Sequence, residues 1–493
     1  MNRAQAIAGA LAYFDDGRFH SDLARRVSVE TESQEGRGEQ LHAYLEREIG
    51  PVLARLGFRW RSVENPVAPL CPFLIAERWE GDDLPTVLTY GHGDVIRGQA
   101  ERWARGNGPW KLAVDGDRIY GRGTADNKGQ HTINFAALEQ VLSARGGSLG
   151  FNVRVLMETG EELGSPGIRQ VAEAHREELL ADVFIASDGP RLQTHTPMLY
   201  LGSRGVLNFA LTIKFREGSH HSGNWGGLLA NPAIVLVNAI AGLVDQRGHI
   251  LLDALRAPPM SDAVRRALAD CRFDEGPEDG ATIDPDWGEP NFTPAERVFS
   301  SNTFEVLALT AGNPAQPVNA VPPSAIAHCQ IRFIAGSDWR GFLPAIRSHL
   351  DANGFGAVTV QLRDHPMPAT RLSPDDSWAV WAAQSIRSTT GIKPVVVPNT
   401  GGSLPNDVFS EVIGVPTVWV PHSYGGCSQH APDEHLLASV ARQALSIMAG
   451  LFWDLGELRD WKRGRRDAEY ATTSSRVTIR DTRESEELGV APR

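Results

Sequence analysis

Residues 151–189 read FNVRVLMETGEELGSPGIRQVAEAHREELLADVFIASDG, and this stretch decides the fold. It opens with a β-rich run, Phe151 to Met157. A glycine-rich turn carrying Glu161 and Glu162 follows, and then Ser165-Pro166, which reads as an N-cap with proline at the first helical position. A second β-rich run, Asp182 to Ala186, ends at Asp188. Working outward, Thr86 to Tyr90 (TVLTY) is a further short strand that runs into GHGD. Phe135, Leu138, Val141 and Leu142 keep helical spacing between the two strands. Apolar strands alternating with helices argue for an α/β fold, a mostly parallel sheet covered by helices.

Near Arg204 the pattern changes. Val206 to Phe215 alternates like a longer strand, a Gly- and His-rich loop follows, and an apolar helix runs from Asn231 to Leu243. Residues 275–294 are rich in Gly, Pro, Asp and Glu and read as a surface excursion. Strands are expected at 302–309 and 325–333, with a helix over 339–353. This is an α+β pattern, so residues 204–370 read as a domain inserted into the α/β domain formed by 1–203 and 371–460. Alternation resumes after Asp375, with Val415 to Val420 (VPTVWV) as a core strand. Residues 461–493 are dense in charge and poor in large apolar side chains, and are expected to be poorly ordered.

Composition narrows the function. Of 493 residues, 42% are hydrophobic and 22% charged, which fits a globular chain. The 48 basic against 60 acidic residues give a net charge of −12, which argues against a nucleic-acid partner. No apolar run is long enough to span a membrane. Ile7, Leu11 and Phe14 recur at helical spacing before Asp15, so the N-terminus reads as an amphipathic helix rather than a signal peptide. Cys71, Cys271, Cys329 and Cys427 form no C-x-x-C pair; a reducing, cytoplasmic location is expected.

The chemistry gathers just past the strand ends: His92 and Asp94 after TVLTY, Asp126 in GRGTADNKG, Glu161 and Glu162, Asp188, and His430 after VPTVWV. In open parallel sheets, ligands bind beyond the carboxyl ends of the strands. A lone His-x-Asp or a strand-end Asp is ordinary, but five such loops together suit two divalent ions such as Zn²⁺ or Mn²⁺. Asp433-Glu434, beside His430, reads as an acidic lead-in to a helix N-terminus.

With these motifs in hand, the chain resembles the dinuclear metallopeptidase family that includes carnosinase-type dipeptidases, carboxypeptidase G, aminoacylase and acetylornithine deacetylase. The resemblance covers about residues 20–455 and runs through GHGD (91–94), GRGTADNKG (121–129), GEELGSPG (160–167), SDG (187–189), HSGNWGG (221–227), NAVPP (319–323), GGSLP (401–405) and HAPDEH (430–435). LLANPA and DQRGHILLDAL bring it nearest to the carnosinase-type branch.

The resemblance implies a catalytic domain with an inserted lid and dimerisation domain. It implies two divalent ions per subunit, zinc first, with manganese or cobalt as alternatives. Asp126 would bridge them, His92 and Asp188 would complete one site, and Glu162 with His430 the other. Asp94 would orient His92, and Glu161 would be the general base that activates a bridging water. Asp126 and Asn127 would be joined by a cis peptide. His221 would reach into a partner subunit's site, making the protein a homodimer. Asn319, Arg332, Gly401, Gly402 and Ser403 would line the substrate pocket. The expected substrate is a small peptide, with N-acyl amino acid deacylation or another amide hydrolysis as the alternative chemistry; a non-catalytic binding protein is the reading from another class.

Overall fold

The computed structural model describes residues 2–272 and 283–458. The expected charged tail, and residues 275–282 of the expected excursion, lie outside them. The described residues up to Gly456 form one compact unit.

The larger sheet has eight strands in the order Arg59–Val63, Phe73–Arg78, Asn152–Glu158, Thr86–His92, Val183–Ala186, Thr417–Trp419, Met198–Tyr200, Val395–Val397. The four central strands, from 152–158 to 417–419, are mutually parallel. Antiparallel pairings occur toward the margins, at 59–63 with 73–78, 73–78 with 152–158, and 417–419 with 198–200. Every residue of Thr86–His92 is buried, which is why its sequence runs apolar instead of alternating. The helices Arg3–Asp15, Lys128–Ala144 and Ala438–Leu455 pack together, with 128–144 lying against strand 86–92. A second apolar cluster joins Tyr90, Phe184 and Trp419 of the sheet to Ile168, Val171, Phe409 and Ile413.

A four-stranded antiparallel sheet follows in the order Thr303–Ala311, Ser324–Phe333, Gly205–Lys214, Thr359–Leu362. It alternates buried and half-exposed residues along 324–333, as a sheet with one covered face must. The helices Pro232–Ala241 and Phe342–Ala352 supply Leu236, Ala239, Phe342, Ile346 and Leu350 to its core. The chain enters this region through Gly202–Ser203 and leaves it through Thr370–Arg371, and these two segments pair with each other. Val264, Leu268, Cys271, Ala295 and Phe299, although inside 204–370, are buried in the core of the larger sheet.

Two local expectations change. The helix after Glu162 starts at Ile168, not at Pro166. Ser165 does not cap it: its backbone is left-handed (φ 53) and its hydroxyl donates to Glu158 Oε1 at 2.9 Å. Asp433 and Glu434 do not lead into a helix N-terminus, since the next helix begins at Ala438. Among the described residues no helix is long and apolar enough to cross a membrane.

Candidate metal centre

Because the four central strands run the same way, His92, the Glu161–Glu162 turn, Asp188 and the loop carrying His430 all leave the same edge of the sheet. Asp126 arrives differently. It follows a small three-stranded sheet in which Arg118–Tyr120 pairs with Ala113–Asp115 and His435–Leu437. That pairing brings the 121–126 loop beside the His430 loop. The loop folds back tightly on helix 128–144: Gly129 donates to Gly123 O at 3.1 Å, and a Cβ at Gly129 would stand 2.0 Å from Thr124 O. The Asp126–Asn127 peptide is cis. Asn127 donates to Ser187 O at 2.8 Å, fixing the Asp126 loop against the residue before Asp188.

Asp126 uses its two oxygens on two sides. Oδ1 lies 2.8 Å from His92 Nε2, and Oδ2 lies 3.2 Å from His430 Nε2. Asp188 Oδ2 is 3.7 Å from His92 Nε2, and Glu162 Oε2 is 3.0 Å from His430 Nε2. Donor atoms thus fall into two groups, each drawn within 4.8 Å and each able to hold a metal ion: His92, Asp126 and Asp188, and Asp126, Glu162 and His430. His92, Asp126 and Asp188 are buried, whereas the His430 side chain is 53% exposed and stands at the mouth.

Asp94 faces two ways. Its backbone carbonyl is 3.1 Å from His92 Nδ1 and its Oδ1 3.4 Å, while its carboxylate accepts the amides of Glu161 (3.2 Å) and Glu162 (3.1 Å). It therefore holds the ring of His92 and the Glu161–Glu162 turn together.

The electrostatics are those of crowded acids. Burial, with the charges of neighbouring carboxylates, pushes Asp188 up to about 6, Glu162 to about 7, and Glu161 well above the ordinary carboxylate range. Burial also acts on Asp126, but its bonds to His430 and His92 prevail and hold it below that range. Bonds to Asp126 and Glu162 lift His430 to about 10. Among the described residues, none of these carboxylates is paired with Lys or Arg; the imidazoles are their only ionic partners. Acids and imidazoles concentrated this way, with no Lys or Arg paired to them among the described residues, fit divalent cations.

The remaining expected residues form two further groups. His221 lies on the exposed ribbon His220–His221, paired with Ala320–Val321; its Nδ1 accepts from Gly223 N at 3.1 Å, and Ser222 N donates to Asn319 O at 2.8 Å. Arg332 donates to Ser403 Oγ at 2.8 Å, in the loop with Gly401 and Gly402. Ser403 Oγ in turn donates to the carbonyl of Arg204 at 2.7 Å. No hydrogen bond or ion pair among the described residues links either group to the His92–Asp126–His430 cluster.

Sequence reasoning missed Gln429, whose Nε2 donates to Asp126 Oδ2 at 2.5 Å, and Glu434, described below. It also missed the backbone of this loop: Ser428 (φ 55), His430 (φ 61) and Asp433 (φ 63) are all left-handed without being glycine. Such residues cost about 1–3 kcal/mol each and persist where surrounding contacts over-determine them.

Residues 88–454 match the model of "Peptidase family M20/M25/M40". A β-Ala-His dipeptidase of Mus musculus is 24% identical over 422 residues, covering 79% of this chain and 81% of that protein. A cysteinylglycine-S-conjugate dipeptidase of Corynebacterium striatum is 28% identical over 327 residues, covering 66% and 70%. The solved structure of the dipeptidase Dug1p from Saccharomyces cerevisiae superposes with a TM-score of 0.75 at 20% identity, over 93% of this chain and all of that one, a likeness of fold. The matched segment contains the whole acidic cluster at the sheet edge, and the chain accordingly belongs to peptidase family M20/M25/M40, metal-dependent hydrolases of peptide-type C–N bonds.

Proposed function

We propose that this chain is a dinuclear metal-dependent dipeptidase acting on small peptides. The observation that carries the reading is Asp126, whose two oxygens face two separate sets of donors. His92, Asp126 and Asp188 would hold one ion, and Asp126, Glu162 and His430 the other. Imidazole and carboxylate donors suit zinc first, and manganese or cobalt as alternatives. Bound there, the ions supply Lewis acidity toward the scissile carbonyl and lower the pKa of water.

The chain's own residues do the rest. Glu161, in neither donor group, takes the water's proton and returns it to the departing amine. Asp94 keeps His92 and the Glu161–Glu162 turn in register. Arg332 is half-buried, donates to Gln330 and Ser403 and has no carboxylate partner among the described residues, so it is available for a substrate carboxylate; Asn319, Ser403, Gly401 and Gly402 would line the substrate pocket with it. The test is a panel of dipeptides and N-acyl amino acids, run on EDTA-stripped protein reloaded with Zn²⁺, Mn²⁺ or Co²⁺. Metal-dependent cleavage of dipeptides is expected. Turnover of N-acyl amino acids alone makes the chain a deacylase, and turnover of neither removes the reading.

Residues 204–370 serve in this proposal as a lid and dimerisation domain, and His221 completes the site of a second copy. Exposed apolar side chains support it: Ile234 and Val237 on helix 232–241, and Val306, Leu307 and Leu309 on the sheet's edge strand 303–311. Mixing inactive His221→Ala with inactive Glu161→Gln subunits and letting them exchange should restore up to about half of wild-type activity, one site per heterodimer being intact. Heterodimers that form and stay inactive would exclude His221 from acting across subunits. Four buried free cysteines support a reducing, cytoplasmic location.

A further inference from the structure

Glu434 is buried and sits where two loops meet. Its Oε1 accepts the amides of Gly123 (3.0 Å), Ala125 (3.0 Å) and Asp126 (3.1 Å). Its Oε2 accepts from Arg122 Nη1 at 2.8 Å and from Gly123 N at 3.1 Å. Its backbone carbonyl accepts from Gly121 N at 3.1 Å. The whole 121–126 segment is thus wrapped around one carboxylate that belongs to the His430 loop. Next to it, Asp433 Oδ1 accepts the amides of Ala104 and Arg105 at 2.9 and 2.8 Å, anchoring that loop from the other side.

We infer that Glu434 is the positioning residue that fixes the Asp126 loop to the His430 loop, so that both donor groups keep their geometry together. The inference rests on the metal reading above, because Asp126 and His430 must be ligands for it to matter. A carboxylate is needed at this place. Four donors converge on it in five contacts, more than a neutral amide side chain accepts, and a glutamine would turn one N–H donor toward Arg122 Nη1 or Gly123 N. The Glu434 side chain bonds to no donor atom of either group; it acts through the backbone amide of Asp126.

The test is metal affinity, measured by titrating Zn²⁺ into EDTA-stripped protein with calorimetry, with circular dichroism confirming the fold. Glu434→Gln should weaken binding at both sites by about tenfold or more, the usual effect of losing a group that orients a ligand. It also leaves the buried guanidinium of Arg122 without its counter-charge, so the single variant risks misfolding. The double variant Arg122→Met/Glu434→Gln removes both charges, leaving the local net charge unchanged, and should bind as weakly as the single one. Wild-type affinity at either site in folded Glu434→Gln protein overturns the inference. Recovery of wild-type affinity in the double variant does so too, because Glu434 would then act only as a counter-charge. Failure of the wild-type chain to bind Zn²⁺ removes the metal reading first, and the inference with it.

Discussion

Glu161→Gln yields a folded, metal-loaded protein whose turnover falls by about a hundred- to ten-thousand-fold, the range set by losing a positioned proton carrier. The fold should survive because its ties to Glu161 run through the backbone. The Glu161 amide donates to Asp94, and Gly164 N donates to the Glu161 carbonyl at 2.7 Å. Metal should stay because Glu161 belongs to neither donor group. In the metal-free protein, burial and the neighbouring carboxylates raise Glu161 well above its ordinary value, and glutamine relieves that strain. Thermal stability of the EDTA-stripped variant should therefore be unchanged or higher. A drop in kcat with little change in metal content is the expected pattern. Near-wild-type turnover in this variant would take Glu161 out of the mechanism.

Asp126→Ala should lose both ions and all measurable activity, whereas His92→Ala should lose mainly one ion. The asymmetry follows from geometry. Asp126 contributes an oxygen to each donor group, and His92 contributes its Nε2 to only one. Removing Asp126 also deprives both imidazoles of their shortest carboxylate contact or of one of two, 2.8 Å for His92 and 3.2 Å for His430. Elemental analysis of protein purified without chelator reads the outcome directly. Two tightly held ions in Asp126→Ala would defeat the shared-ligand assignment.

Much of the fold was legible because its central strands are buried on both faces. Continuous apolar runs such as TVLTY and VPTVWV have no other use in an acidic globular chain, and the structure places them at 86–92 and 417–419. The long alternating strand expected at 206–215 is found at 205–214, for the complementary reason that one of its sheet's faces is covered. The marginal strands were not legible. Arg59–Val63 and Phe73–Arg78 carry mixed patterns, and Met198–Tyr200 is three residues long, too short for any period to show.

The same limit applies at the site. His92, Glu162, Asp188 and His430 could be proposed together because each follows a strand whose direction the β/α alternation fixes. Asp126 stood out only by its glycine-rich loop, since it comes from the small three-stranded sheet, whose pairing of 118–120 with 435–437 joins segments more than 300 residues apart. Glu434 and Gln429 left no local mark. Glu434 looks like any acid near a helix start, and only the converging amides of a distant loop reveal its use.

The order of the large sheet has a consequence for how the chain is made. Strand Val183–Ala186 has two neighbours, Thr86–His92 and Thr417–Trp419. The first leaves the ribosome before it, but the second arrives more than 200 residues later. At typical synthesis rates that interval lasts on the order of ten to forty seconds. Throughout it, the row of amides and carbonyls along 183–186 has no native partner, and such an edge invites pairing with other chains. The loop that carries His430 and Glu434 emerges later still. For nearly half of these 493 residues' synthesis, the nascent polypeptide therefore carries an open sheet edge at 183–186. The two candidate donor groups are complete only once His430 has emerged.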